Sequence, residues 1–191
     1  MREIALHLPD IAENSASAES KNISIQVHEN LFLDRLSTSV IDDGRGMDAQ
    51  TVQQVQDPFY TTRTTRTVGL GIPLLKLAAE MAEGRFCLES EPGNGTWVEA
   101  EFRHSHIDRM PLGDLPATFL TLLISHPEID WTFLYRVTDT NKQSRDFLFE
   151  SAELKSELGD ISLTEPEVLS FVRGMIEEGI NSVALQAVPE S

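Results

Sequence analysis

Apolar residues recur along this chain with two periods, and the switches between them mark out its elements. Ile4, Leu8 and Ile11 follow helical spacing, with small Ser15, Ala16 and Ala18 beyond, so a helix is predicted from Ile4 to about Ser20. Pro9 interrupts that helix or marks its first turn, because proline lacks an N–H and restricts Leu8 before it. Ile23, Ile25 and Val27 alternate as in a half-buried strand, and Leu36, Thr38 and Val40 predict its partner, ending at Asp42. Asp48 caps a short polar helix reaching Gln56. Residues 57–70 then lose periodicity and carry five threonines and two arginines, a long loop of the kind that is usually functional. Gly71 to Glu83 is strongly apolar and stops at Gly84, with Pro73 tolerated in the first turn. Arg85–Ser90 and Thr96–Arg103 form a hairpin around Glu91-Pro92-Gly93-Asn94-Gly95. Trp97 falls on one face of its second strand, and Val98, Ala100 and Phe102 on the other. This order predicts an α+β fold, a sandwich with helices on one side of a mostly antiparallel sheet.

After residue 103 the pattern changes. Residues 104–112 read as a polar connector, and residues 113–191 as a small C-terminal α+β unit. That unit has a helix over 115–125, a hairpin of 131–137 with 146–149, a short helix over 152–158, and a last helix opened by Thr164-Glu165-Pro166-Glu167 with capping-box spacing. It is either folded against the first unit of residues 1–103 or nearly independent of it.

Composition narrows the function classes. With 40% hydrophobic and 24% charged residues among 191, the chain is an ordinary globular sequence. Its formal charge is −16, from 31 acidic and 15 basic residues, which repels nucleic acid and anionic membranes and leaves a basic protein partner open. Cys87 is the one cysteine, so no disulfide forms within the chain. No signal segment and no apolar run of membrane-spanning length is present, so the expected compartment is the cytoplasm.

Four short motifs carry candidate chemistry. Asp10 and Asn14 stand four residues apart, on one face of the first helix. Ile41-Asp42-Asp43-Gly44-Arg45-Gly46-Met47 is an Asp-x-Gly-x-Gly turn leaving an apolar run. Pro58-Phe59-Tyr60-Thr61-Thr62-Arg63 opens the long loop, and Gly69-Leu70-Gly71 begins the second apolar helix. Each is weak alone, since Asp-Asp-Gly is also plain turn chemistry. There is no Gly-x-x-x-x-Gly-Lys-Ser/Thr, no Rossmann glycine pattern after a strand and no Gly-x-Ser-x-Gly. His7, His28, His104 and His126 show no metal-ligand spacing with Cys87 or each other.

In this order the four motifs resemble the ATP-binding domain shared by sensor histidine kinases, DNA gyrase B subunits, mismatch-repair clamps and heat-shock chaperone ATPases. This is the GHKL family, whose pocket is called the Bergerat fold, and the resemblance covers roughly residues 1–103. It implies ATP and Mg²⁺ as cofactors. Asp42 would accept a hydrogen bond from the adenine amino group, Gly44 and Gly46 would let the backbone approach the base, and Met47 would pack on the ring. Asn14 matches the metal-binding asparagine, an oxygen ligand suited to Mg²⁺. Asp10 takes the place of the glutamate that activates water in hydrolysing members; it either positions a water or caps a helix starting near Pro9. Gly69, Leu70 and Gly71 would set a helix N-terminus against the phosphates. Thr61, Thr62, Arg63 and Arg66 would belong to the ATP lid, and Gly95-Thr96 matches the final glycine box that shapes the pocket. The Phe59-Tyr60 stretch closely resembles the phenylalanine box of sensor kinases.

The chain departs from the family in lacking both an N-terminal strap and an upstream helical pair with a phosphoacceptor histidine. Ser105-His106-Ile107-Asp108-Arg109-Met110-Pro111-Leu112 faintly echoes that phosphoacceptor box, with the acid displaced by one residue. An unpaired connector histidine is otherwise just solvated. Three functions follow as expectations: a Mg-ATP-dependent kinase-like module acting on another protein, an ATP-responsive interaction module without turnover, or a slow ATPase using Asp10.

Overall fold

The computed structural model describes residues 3–57 and 70–187. A 3-10 turn at Ile4–Leu6 leads into α1 (His7–Ser17). Pro9 falls in the first turn of α1, where its missing N–H has no intrahelical partner to lose. Leu8, Ile11, Ala12 and Ser15 are buried at i, i+3, i+4 and i+7, the stripe that faces the sheet. Two strands follow, β1 (Asn22–Asn30) and β2 (Arg35–Asp42), then α2 (Ala49–Gln54), capped by Asp48 through Thr51 N at 2.7 Å. Next come α3 (Gly71–Met81) and the hairpin of β3 (Arg85–Glu91) and β4 (Gly95–Arg103). The remainder is α4 (Leu115–Ser125), β5 (Asp130–Thr138), β6 (Ser144–Glu150), α5 (Ser151–Leu158) and α6 (Pro166–Ala187).

All of these strands join one six-stranded sheet in the order β3-β4-β2-β1-β5-β6. Every pairing is antiparallel except β1 with β5, which runs parallel from Asn22↔Asp130 to Asn30↔Thr138. The sheet is therefore mostly antiparallel, and the C-terminal hairpin extends the same sheet. Of the two arrangements left open by the sequence, the tail adopts the one folded against the first unit.

The register aligns one apolar face across the strands: Ile25 with Val40 and Phe133, Val40 with Val98, and Phe133 with Phe149. Helices α1, α3, α4 and α6 pack on that face. At its centre the ring of Phe119 from α4 meets Trp131, Phe133 and Phe149 at centroid distances of 6.3, 5.1 and 5.4 Å. Residues between β4 and α4 are anchored to the core edge. Ile4 N and Ala5 N donate to Pro111 O and Leu112 O, and Glu29 accepts from Tyr135 Oη at 2.5 Å and bonds His104 Nε2 at 2.8 Å. Burial works against a charge on Glu29, but the His104 and Tyr135 bonds outweigh it and hold the carboxyl below its usual range.

Candidate functional site

Strand alternation sends Asp42, the last residue of β2, to the helix-facing side of the sheet, where it is 8% exposed. Its Oδ2 accepts from Ser15 Oγ at 2.5 Å and its Oδ1 from Gly44 N at 2.9 Å. A carboxylate offers about four lone-pair sites, so Asp42 retains acceptor capacity beyond those bonds. Asp43 is committed otherwise: Lys21 N (2.8 Å) and Asn22 N (2.9 Å) donate to its Oδ1, and Asn22 Nδ2 (2.7 Å) to its Oδ2. Partial burial opposes its charge, yet these donors hold the Asp43 carboxyl below the usual range. Of two neighbouring aspartates, one staples the turn to β1 and the other is held ready at the floor.

Beside Asp42 in the register lies Thr96, the second residue of β4. Ser90 Oγ donates to Gly95 O at 2.8 Å and accepts from Met47 N at 2.8 Å. Its proton being used, the 3.0 Å bond to Thr96 Oγ1 has the threonine as donor. Gly46 and Gly95 both take left-handed backbone, φ 64° and 82°. A Cβ on Gly46 would stand 2.0 Å from Glu91 O, and one on Gly95 1.9 Å from Asp42 O. Only glycine allows the turn and the hairpin to interlock this closely. Gly44 lies against Ala18 and Ser20 just beyond α1.

Helix α1 joins this floor to α3. Ser15 touches Asp42 at one end, and at the other the space where Gly71 lacks a Cβ is filled by Asp10, whose own Cβ would be 2.7 Å away. Five residues of helix rise span about 7–8 Å, so α1 links the strand end to the start of α3. Asp10 and Asn14 are exposed on α1 between these contacts, while Glu13 turns aside to pair with His126 of α4 at 3.1 Å. Leu70 makes no side-chain cap to α3, and the first-turn N–H groups of a helix have no intrahelical partner. Asp10, Asn14, Asp42, Gly44, Gly46, Met47, Leu70, Gly71 and Thr96 are thus placed around one region. Thr61, Thr62, Arg63, Arg66 and Gly69, with Phe59 and Tyr60, lie outside the described residues.

Ser15 is read from the sequence only as a small helix residue. The signal was there: a hydroxyl at the fourth position of a buried stripe needs a partner. Ser90 gave no comparable signal, since its role depends on a hairpin register. The structure also separates His106 from the site. It follows the far end of β4 from Thr96, with its Nδ1 accepting from Asp108 N at 3.2 Å and its Nε2 3.8 Å from Glu83.

Comparison with known proteins bears on this geometry. The family model described as "Histidine kinase-, DNA gyrase B-, and HSP90-like ATPase" matches residues 2–106. The sensor protein kinase FleS of Pseudomonas aeruginosa is 39% identical over 87 residues, covering 46% of this chain and 21% of that protein. Sporulation kinase C of Bacillus subtilis is 30% identical over 87 residues, covering 46% and 20%. The chain spans about a fifth of the length of these curated relatives. Among solved structures, the N-terminal domain of a DNA repair protein aligns with 78% of this chain and 52% of its own at 14% identity and a TM-score of 0.49.

Proposed function

Because the chain belongs to the histidine kinase-, DNA gyrase B- and HSP90-like ATPase family, we propose that it binds Mg-ATP between α1, α3 and the end of β2 and passes the γ-phosphoryl group to a protein partner in trans. One observation carries the placement of the base: the buried Asp42 carboxylate, fixed by Ser15 Oγ and Gly44 N with acceptor capacity to spare. An adenine amino group is the donor such an acceptor lacks. Asn14 would hold Mg²⁺; one exposed protein oxygen suits an ion that keeps several waters. Bound magnesium would neutralise phosphate charge. The N-terminus of α3 would face the phosphates, and Thr61, Thr62, Arg63 and Arg66 would cover them. Phosphoryl transfer asks mainly for alignment and charge stabilisation of the protein, which fits a site without a nucleophile. Transfer to His106 is disfavoured by its place across the length of β4 from Thr96.

Calorimetry of the whole protein with ATP, with and without Mg²⁺, tests the assignment. Asp42→Ala removes a charged hydrogen-bond acceptor and is expected to weaken ATP by about 10- to 100-fold. Asn14→Ala is expected to remove chiefly the magnesium dependence. Unchanged titrations in both variants overturn the site. Radiolabel appearing on a co-purified protein supports the kinase; phosphate release lost in Asp10→Asn supports an ATPase instead. Tight binding with neither result supports an ATP-responsive interaction module.

A further inference from the structure

On the sheet face turned away from the helices, Ile41, Trp97 and Glu89 stand in a row. The register pairs Ile41 with Trp97 and Trp97 with Glu89, while the alternate residues Val98, Ala100 and Phe102 are buried on the other face. With Asp42, Ser90, Glu91, Asn94, Gly95 and Thr96 at the strand ends, this row lines an open recess of about 320 Å³. Its wall is an indole and its base is aliphatic, with the carboxylates of Glu89 and Glu91 at two points.

Among the described residues those carboxylates lack a paired counter-charge. Glu91 accepts from Asn94 Nδ2 at 2.7 Å, and Glu89 accepts from the Cys87 thiol at 3.7 Å. Among the described residues no Lys, Arg or His comes within 4.0 Å of either, whereas Glu101 on the same face pairs with both Arg35 and Arg85. The neighbourhood reports the surplus: burial first, and then the Glu89 charge, push the Cys87 thiol above its usual range. Two glutamates two residues apart on a strand project from one face with about 6.6 Å of rise between them. That separation suits a flat, delocalised cation lying between them.

We propose that this recess receives an arginine side chain from a protein partner, its guanidinium stacked on Trp97 and hydrogen-bonded to Glu89 and Glu91. Arginine fits better than lysine because a planar, weakly hydrated guanidinium both stacks on an aromatic face and forks toward carboxylates. An arginine within a peptide fits better than the free amino acid, whose own carboxylate would meet Glu89 and Glu91. A net charge of −16 favours encounter with a basic segment. The recess reaches the strand ends and has Asp42 and Thr96 in its lining, while the two glutamates that would hold the guanidinium stand on the opposite sheet face from the helices and require no nucleotide.

The chain has two tryptophans, and Trp131 is buried with Nε1 donating to His126 O at 3.0 Å. Indole N–H signals from ¹⁵N-labelled, nucleotide-free protein therefore give a probe, Trp97, and an internal reference, Trp131. Titration with acetyl-Gly-Arg-Gly-amide at moderate salt is expected to shift the Trp97 signal saturably and leave Trp131 unmoved. The same peptide with neutral citrulline in place of arginine is expected to leave both in place. Glu89→Gln combined with Glu91→Gln, exposed changes that spare the core, is expected to raise the Kd at least tenfold. An equal response to the citrulline peptide, or unchanged affinity in the double variant, overturns the proposal. ATP titrations of that variant, expected to match the unmodified protein, keep this test separate from the nucleotide site.

Discussion

At the scale of single residues, Asp42 and Asp43 are the same chemical group one position apart, and strand alternation alone separates their duties. The pairing of Asp42 with Ser15 is buried, so its loss is expensive. Ser15→Ala leaves one Asp42 oxygen short of a donor and is expected to cost about 1–3 kcal/mol in urea unfolding, with weaker ATP binding in calorimetry. His7 is a second buried group that stands out. Both its ring nitrogens lack a hydrogen-bond partner among the described residues, and burial lowers its pKa to about 4 from 6.5. A folded-state pKa below the unfolded one means that the unfolded chain takes up the proton first as pH falls. Stability from neutral His7 is therefore complete above pH 6.5 and is lost between 6.5 and about 4. Between pH 7 and 5 the expected loss is about 2 kcal/mol, read from denaturation midpoints. His7→Leu should flatten much of that slope. His28, lowered by burial and then by Arg136, keeps a remainder of the same sign. The depressed carboxyls Glu29, Asp34 and Asp43 contribute stability that is lost at lower pH, as pH falls through the ordinary carboxylate range and below it.

At the scale of elements, α1 connects the two halves of the candidate site. Its buried stripe fixes the helix on the sheet, and that rotation aims Asp10 and Asn14 outward together. The turn after β2 depends on the β3–β4 hairpin in the same way. Gly95 holds φ 82° close against the Asp42 carbonyl, so Gly95→Ala suffers both left-handed strain and a clash, its Cβ standing 1.9 Å from Asp42 O. The expected cost is at least ~2 kcal/mol, with loss of ATP affinity exceeding that of a surface change such as Asn94→Ala. Thermal melting and calorimetry on the two variants check it.

At the scale of the whole molecule, β5 decides how the chain is organised. It lies parallel along the full length of β1, and the aromatic cluster around Phe119 spans α4, β5 and β6. Removing residues 113–187 would turn β1 into an unpaired edge and bare the apolar surface of α1 that faces α4. Such a truncated protein is expected to aggregate or bind a hydrophobic dye at neutral pH, where the whole chain does not. A soluble, cooperatively melting fragment would show that the first unit stands alone.

Much of this was legible in the sequence because the signals are local. Period and punctuation placed α4 at Leu115–Ser125 and the strands to within a few residues, since side-chain periodicity and Gly/Pro stops act over neighbouring positions. The Asp42 turn, the Asp10–Asn14 spacing and Gly71 were likewise visible as motifs. What only the tertiary structure decided were partnerships between distant segments: Ser15 with Asp42, Ser90 with Met47 and Thr96, β5 with β1, and the row of Ile41, Trp97 and Glu89. Each is set by strand register and by which helix packs on which face. Those choices are made by the collapse of the whole core, and no short window of residues encodes them.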